Sequence, residues 1–147
     1  VGGISGGYGI ISGCSNSAAI SATDNQAGGI SVQCKFNVTG SFNYGPVNGN
    51  GAVGGVCGRS YYSISGCFNT ASVTGTSYVG SVVGFNQNTG TVKDCRYVSG
   101  TPIGYNAGTT ANVTAETIAN LQGTAGLDLL NNAIKDWNVN GTYKDKR

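Results

Sequence analysis

The sequence predicts an all-β fold: a β-solenoid (β-helix) of about four 26-residue coils followed by a short C-terminal α-helical cap. Three observations lead there. First, shifting the chain by 26 residues superposes VGGI at 1, AGGI at 27, VGGV at 53 and VGSV at 79. Second, another landmark follows each of these: ISGCSN from Ile11, VTGSFN from Val38, ISGCFN from Ile64 and VKDCRY from Val92, at spacings of 27, 26 and 28 residues. Recurrence at such a period marks a solenoid, a propeller or an array. Third, each copy holds short apolar or β-branched runs between Gly, Asn and Ser, and none sustains the 3.6-residue spacing of a helical repeat. A WD-type propeller blade takes about 40 residues, more than this period allows. What remains is parallel coils stacked about 4.8 Å apart, with two or three short strands to a coil. The copies are read at 1–26, 27–52, 53–78 and 79–110, and the cap and tail at 111–147.

In a stack of coils, residues one period apart form ladders, so the alignment itself names the core. The columns Val1/Ala27/Val53/Val79, Ile4/Ile30/Val56/Val82, Ile11/Val38/Ile64/Val92, Cys14/Ser41/Cys67/Cys95 and Ile20/Val47/Val73 stay small and mostly apolar, and are expected inside. Gly2/Gly28/Gly54/Gly80 and Gly13/Gly40/Gly66 belong where the backbone turns with positive φ or lies close to a neighbouring coil. Asn16, Asn43 and Asn69 form a column whose amides can bond from coil to coil, as in cross-β Asn ladders.

The text VGGVCG, then ISGCFNTASVTGTSYVGSVVGFN, resembles the GLUG-type repeat of bacterial secreted and surface proteins. That pattern runs roughly VGGIVGYN, a short turn, ISNCYNTG, then V.G before the next VGG. The resemblance covers residues 1 to about 106. It implies a β-solenoid module in a larger extracellular protein, as in adhesin-like chains and beside IgA-peptidase-type domains. It implies no activity for the module.

Charge and cysteine usage narrow the partners. Up to Thr110 the repeats set Asp24 and Asp94 against Lys35, Arg59, Lys93 and Arg96, without a basic stripe, so no nucleic acid partner is expected. No window approaches 18 consecutive apolar residues, so no membrane insertion is expected either. Cys14, Cys67 and Cys95 share a column in which parallel strands point stacked side chains the same way, and they read as small buried hydrophobes. Cys34 and Cys57 stand one coil and three alignment positions apart, so a bridge between them requires a turn. Val1 opens directly on a landmark, which reads as a piece of a longer chain with upstream repeats. Residues 1–26 are then expected to self-associate end to end through an uncovered strand edge.

Towards the C-terminus the columns thin. Asp94 stands in the glycine column, Tyr97 in the asparagine column, and Thr101-Pro102 where Val73 would recur. PIGYN at 102–106 echoes VVGFN at 82–86 and opens a partial fifth coil. Beyond it, Thr114 as N-cap, Ile118 and Leu121 one turn apart, Gly123 as stop, and Leu127, Leu130 and Ile134 at helical spacing predict two short helices. With Trp137 they are expected to seal the open end of the solenoid, and the YKDKR tail to fray.

The sequence has no histidine, which removes the usual general base and the commonest metal ligand. Asp24 and Asp94 lie three coils and different columns apart, whereas a glycosidase pair needs carboxyls within about 5 to 10 Å. No catalytic residue, cofactor or metal site is expected, and the chain does not read as an enzyme. The expected function is a non-catalytic structural or adhesive module of a larger bacterial protein, extracellular or on the cell surface, with a protein or glycan partner. Carbohydrate binding by Tyr8, Tyr61, Tyr62 and Tyr78 as an exposed ligand face is the alternative. Ice binding ranks last, because regular Thr columns are lacking.

Overall fold

The computed structural model describes residues 1–23, 25–121, 128 and 131. Asp24, the Gly123 stop, the expected helix around Leu127, Leu130 and Ile134, the Trp137 seal and the frayed tail lie outside the described residues.

The chain winds as a parallel β-solenoid, with a ring of five short strands to a full coil rather than two or three. In the third copy these are Ala52–Gly54, Cys57–Ser60, Ser63–Ser65, Phe68–Asn69 and Val73–Gly75. The apolar runs 53–57 and 62–67 look continuous in the sequence, yet corners at Gly55-Val56 and at Gly66 each divide one of them. Every strand pairs in parallel with its equivalent one copy away. Ile11, Val38, Ile64 and Val92 form one such ladder, which continues to Thr110. Ile20, Val47 and Val73 form another, and Ala27, Val53 and Val79 a third. The alignment columns are therefore the observed register. Two faces of the stack run through five rungs, one through four and two through three, so about three full turns are flanked by partial ones.

The two glycine columns serve two different needs. Gly13, Gly40 and Gly66 turn in the left-handed region, with φ of 63°, 56° and 61°. Asp94 and Asn112 continue that column at 52° and 53°, and the Asn112 amide donates to the Asp94 carboxylate at 2.8 Å. Asp94 thus keeps the corner instead of breaking it, since Asp and Asn are the side chains that best tolerate this conformation. The VGG glycines serve close approach. A methyl group on Gly54 would overlap the Cys57 carbonyl, and one on Gly55 the Ser81 carbonyl and the Asn69 amide.

Val1 and Ile4, expected inside with their columns, are exposed on the first rung; elsewhere the apolar columns divide into two clusters. Ile30, Val38, Val56, Ile64, Val82 and Val92 lie in the main one, together with Cys67 and Cys95. Ala22, Ala27, Val47 and Val53 form a smaller one within the lobe made by the strands equivalent to Val73–Gly75 and Ala52–Gly54. The asparagine column is a buried ladder. Asn16 Nδ2 donates to Asn43 Oδ1 and Asn43 Nδ2 to Asn69 Oδ1, both at 2.9 Å, and each amide also donates to the carbonyl two residues on. A second amide pair joins Asn86 to Asn106 at 2.8 Å.

After Arg96–Tyr97 the chain omits the two lobe strands and proceeds directly to Ile103–Asn106, Thr109–Ala111 and Thr114–Ala115. The solenoid therefore continues to Ala115, past the expected boundary at 110. Thr114 is not an N-cap: it pairs with Arg96 in a strand. Thr117 caps the helix Ile118–Leu121, its hydroxyl accepting from the Asn120 amide at 3.2 Å. Leu121 is buried and Ile118 exposed. Beside the last rung Thr110 and Ala111 are exposed, and a groove of about 380 Å³ lies open next to Ile103, Asn106 and Val113; the greater part of the expected cap lies outside the described residues.

Two substitutions test this register. Ile64, fully buried between Val38 and Val92, should not accept a charge. Ile64→Asp carries a penalty on the order of several kcal/mol and should abolish the cooperative thermal transition; an unchanged Tm would refute the inward assignment. Asn43→Ala removes three hydrogen bonds, each contributing about 1 kcal/mol net. Chemical denaturation should show a loss well above that of Asn48→Ala, an exposed position in the same coil.

Candidate binding surfaces

The four candidate tyrosines do not form one face. Tyr61 and Tyr62 fill the corner after Cys57–Ser60, and Lys35 and Phe36 occupy that corner one coil earlier, with the Tyr61 amide bonded to the Cys34 carbonyl at 3.0 Å. The Phe36 and Tyr62 rings stack at 6.1 Å. Lys35 Nζ donates to the Tyr8 hydroxyl at 2.8 Å and lies 4.5 Å from its ring centroid. That hydrogen bond, aided by the charge of Lys35, lowers the Tyr8 phenol from its ordinary value, and the same bond raises Lys35. Tyr8, Tyr61 and Tyr62 thus follow one corner along the stack.

Tyr78 stands elsewhere, in the turn before Val79–Gly80, with a left-handed φ of 46° that is uncommon for an aromatic residue. Its ring meets Phe85 at 5.2 Å and Tyr105 at 5.7 Å, and Phe85 meets Tyr105 at 4.7 Å. Phe85 and Tyr105 belong to an outward column of the four-stranded face, Gln33/Arg59/Phe85/Tyr105. The Arg59 guanidinium carbon lies 4.7 Å from the Phe85 centroid. Sequence reading missed Arg59, Phe85 and Tyr105, although the 26-residue shift and the PIGYN echo already place them in one column. Beside them a shallow groove of about 350 Å³ runs across three coils, lined by Asn25, Gln26, Asn50, Ala52, Arg59 and Tyr78. Among the described residues the buried Arg59 Nε has no hydrogen-bond partner, and no carboxylate lies within ion-pair distance of Arg59.

Arg96 has a different role. Its Nη1 donates to the Cys95 and Asn112 carbonyls at 3.0 and 2.8 Å, and its Nε lies 3.8 Å from the Glu116 carboxylate, so it joins the fourth coil to the short fifth. Among the cysteines, Cys67 and Cys95 are buried thiols and Cys14 is half-buried. Burial, and then the neighbouring Cys67, pushes the Cys95 thiol well above its ordinary value. Cys34 and Cys57 form a disulfide with Cα atoms 6.3 Å apart. The expected turn is not needed: both cysteines lie in paired strands of unbroken register, where Cys57 pairs with Ser31 and Ser60 with Cys34, and the bridge crosses from one rung to the next between the buried positions at the two ends of these strands. Among the described residues no group of three His, Cys, Asp or Glu side chains could hold a metal ion, and no helix is long and apolar enough to cross a membrane.

Fold and surface together define a parallel β-solenoid repeat module. The GLUG motif family matches residues 49–74, one period long and spanning both VGGV and ISGCFN. The chain thus carries a GLUG motif that runs from the end of the second copy through most of the third, and strand pairing extends that unit's register to the neighbouring coils. No curated protein and no solved structure gives a significant match.

Thiol labelling checks the cysteine assignment. In the native state Cys14 should react first; denaturation without reductant should expose three thiols in all, and reduction should release Cys34 and Cys57. A second intact disulfide by mass spectrometry would contradict the buried-thiol ladder.

Proposed function

We propose that the chain is a non-catalytic structural and adhesive repeat module of a larger bacterial extracellular or cell-surface protein. The observation that carries this reading is the unbroken register of the stack. Parallel ladders tie each coil to the next through backbone and asparagine bonds, giving a stiff body whose long faces are available to a partner. A GLUG motif suggests a repeat module of a larger protein, and a GLUG repeat on a solenoid is typical of non-catalytic modules. The Cys34–Cys57 disulfide supports an oxidising compartment. At the first rung, exposed Ile4 and Ile10 and the outer edge of Ile11–Ser12 suit either an upstream repeat or end-to-end contact with a second copy through residues 1–26.

Beads coated with the chain should attach to cell or matrix surfaces under flow and leave the recovered surface molecules chemically unchanged by mass spectrometry. Retention no better than on albumin-coated beads would overturn the adhesive part of the reading. Attachment accompanied by cleavage or modification would overturn the non-catalytic part.

A further inference from the structure

We propose that the groove beside Tyr78, Arg59, Phe85 and Tyr105 binds an acidic glycan, one whose pyranose rings carry carboxylates; this rests on the adhesive reading and names the ligand class of that surface. Three features converge on it. The first is aromatic. Tyr78 and Tyr105 are about half exposed, at 47% and 48%, and form one cluster with Phe85, so ring surface faces solvent where burial in the core was available to other aromatics such as Phe68. The apolar C–H face of a pyranose packs on such rings, while its hydroxyls need polar partners at the rim. Asn25, Gln26 and Asn50 stand at that rim.

The second feature fixes the charge. Arg59 is held against the Phe85 ring, which keeps its guanidinium plane in place without neutralising it. Among the described residues its buried Nε has no partner and no carboxylate pairs with it. A guanidinium presents paired N–H donors that match a carboxylate, and a ligand carboxylate in the groove that Arg59 lines would meet its terminal donors. The third feature is backbone. Tyr78 keeps a left-handed φ that costs conformational energy, and such outliers concentrate at ligand sites.

The site distinguishes itself from the Tyr8/Lys35/Tyr62 corner, where Lys35 already donates to the Tyr8 hydroxyl and no guanidinium lies against an aromatic ring among the described residues. The test is a titration of the full chain, followed by NMR or calorimetry, with an oligogalacturonate, with sialyllactose and with neutral lactose. At least one acidic probe should bind with a micromolar to millimolar Kd, and lactose at least about tenfold more weakly; the two acidic arms distinguish a uronate from a sialate source. Arg59→Gln should weaken acidic binding by about tenfold or more, and Tyr78→Ala or Tyr105→Ala should do likewise, while Tyr44→Ala, an exposed tyrosine on another corner, should retain it. Because Tyr105 lies in an exposed outer strand, its variant should keep the parent melting curve and tests the site even if Arg59→Gln unfolds. Equal binding of lactose, or loss on Tyr62→Ala but not on Tyr105→Ala, would overturn the proposal. Failure of both acidic probes while coated beads still attach to surfaces would overturn the glycan assignment and leave the adhesive reading intact.

Discussion

The coil closes through the fit between an asparagine amide and a glycine that leaves room for it. In the first three copies the second glycine of the VGG landmark faces the asparagine of the same copy: Gly3 with Asn16, Gly29 with Asn43 and Gly55 with Asn69. The amide crosses the interior, bonds the carbonyl two residues on and reaches the asparagine of the adjacent coil. A buried amide without those partners would cost about 1 to 3 kcal/mol per unpaired group, so the amides penalise wrong pairings more than they add net stability. A one-residue slip would turn them outward and face apolar side chains to solvent. The fourth copy changes both members of the pair. Ser81 replaces the glycine and Tyr97 the asparagine, and the Ser81 hydroxyl turns to the Ser99 carbonyl. The stack omits its lobe strands immediately after that change.

Most of the register was legible in the sequence because a solenoid writes its contacts at a fixed offset. Each column read from the alignment recurs as a ladder, down to the amide bonds. The number of strands was not legible. Corners are ordinarily announced by polar text, but Val56 lies at a corner and points inward with no exposure, so the run 53–57 looks like one strand. Asp94 misled in the opposite direction. It looks like decay of the glycine column, whereas its φ shows that the column demands a left-handed residue and accepts Asp. The boundary at 110 failed because Thr109–Ala111 and Thr114–Ala115 carry none of the apolar residues that mark the same ladders earlier.

The surface was only partly legible for a related reason. Tyr8, Tyr61 and Tyr62 sit in turn-like text and stand out as exposed. Phe85 sits in VVGFN, between residues that are wholly buried, and reads as core until strand alternation places it outward. Arg59 looks like an isolated charge in the sequence. Only the ladder puts it on the Phe85 ring, and only the three-dimensional stack shows that its Nε has no partner among the described residues.

The break in period leaves part of the aromatic cluster uncovered. A regular fifth coil would lay another VGG strand over Val79–Gly80, and the turn leading into that strand would fall above Tyr78. By omitting the lobe strands, the chain brings Ile103–Asn106 directly to its place beside Val83–Asn86. Gly104, with no side chain, passes close to the Tyr78 carbonyl, where a methyl group would overlap it. Tyr105 then meets Tyr78 and Phe85. Tyr78, Phe85 and Tyr105 converge through the regular register: 78 and 85 repeat the placement of 26 and 33, whose side chains also meet, and Tyr105 follows Phe85 in the ladder that carries Arg59. The ladder fixes where side chains meet, and the residue at each position decides what meets there: Gln33, Arg59, Phe85 and Tyr105 succeed one another in a single column.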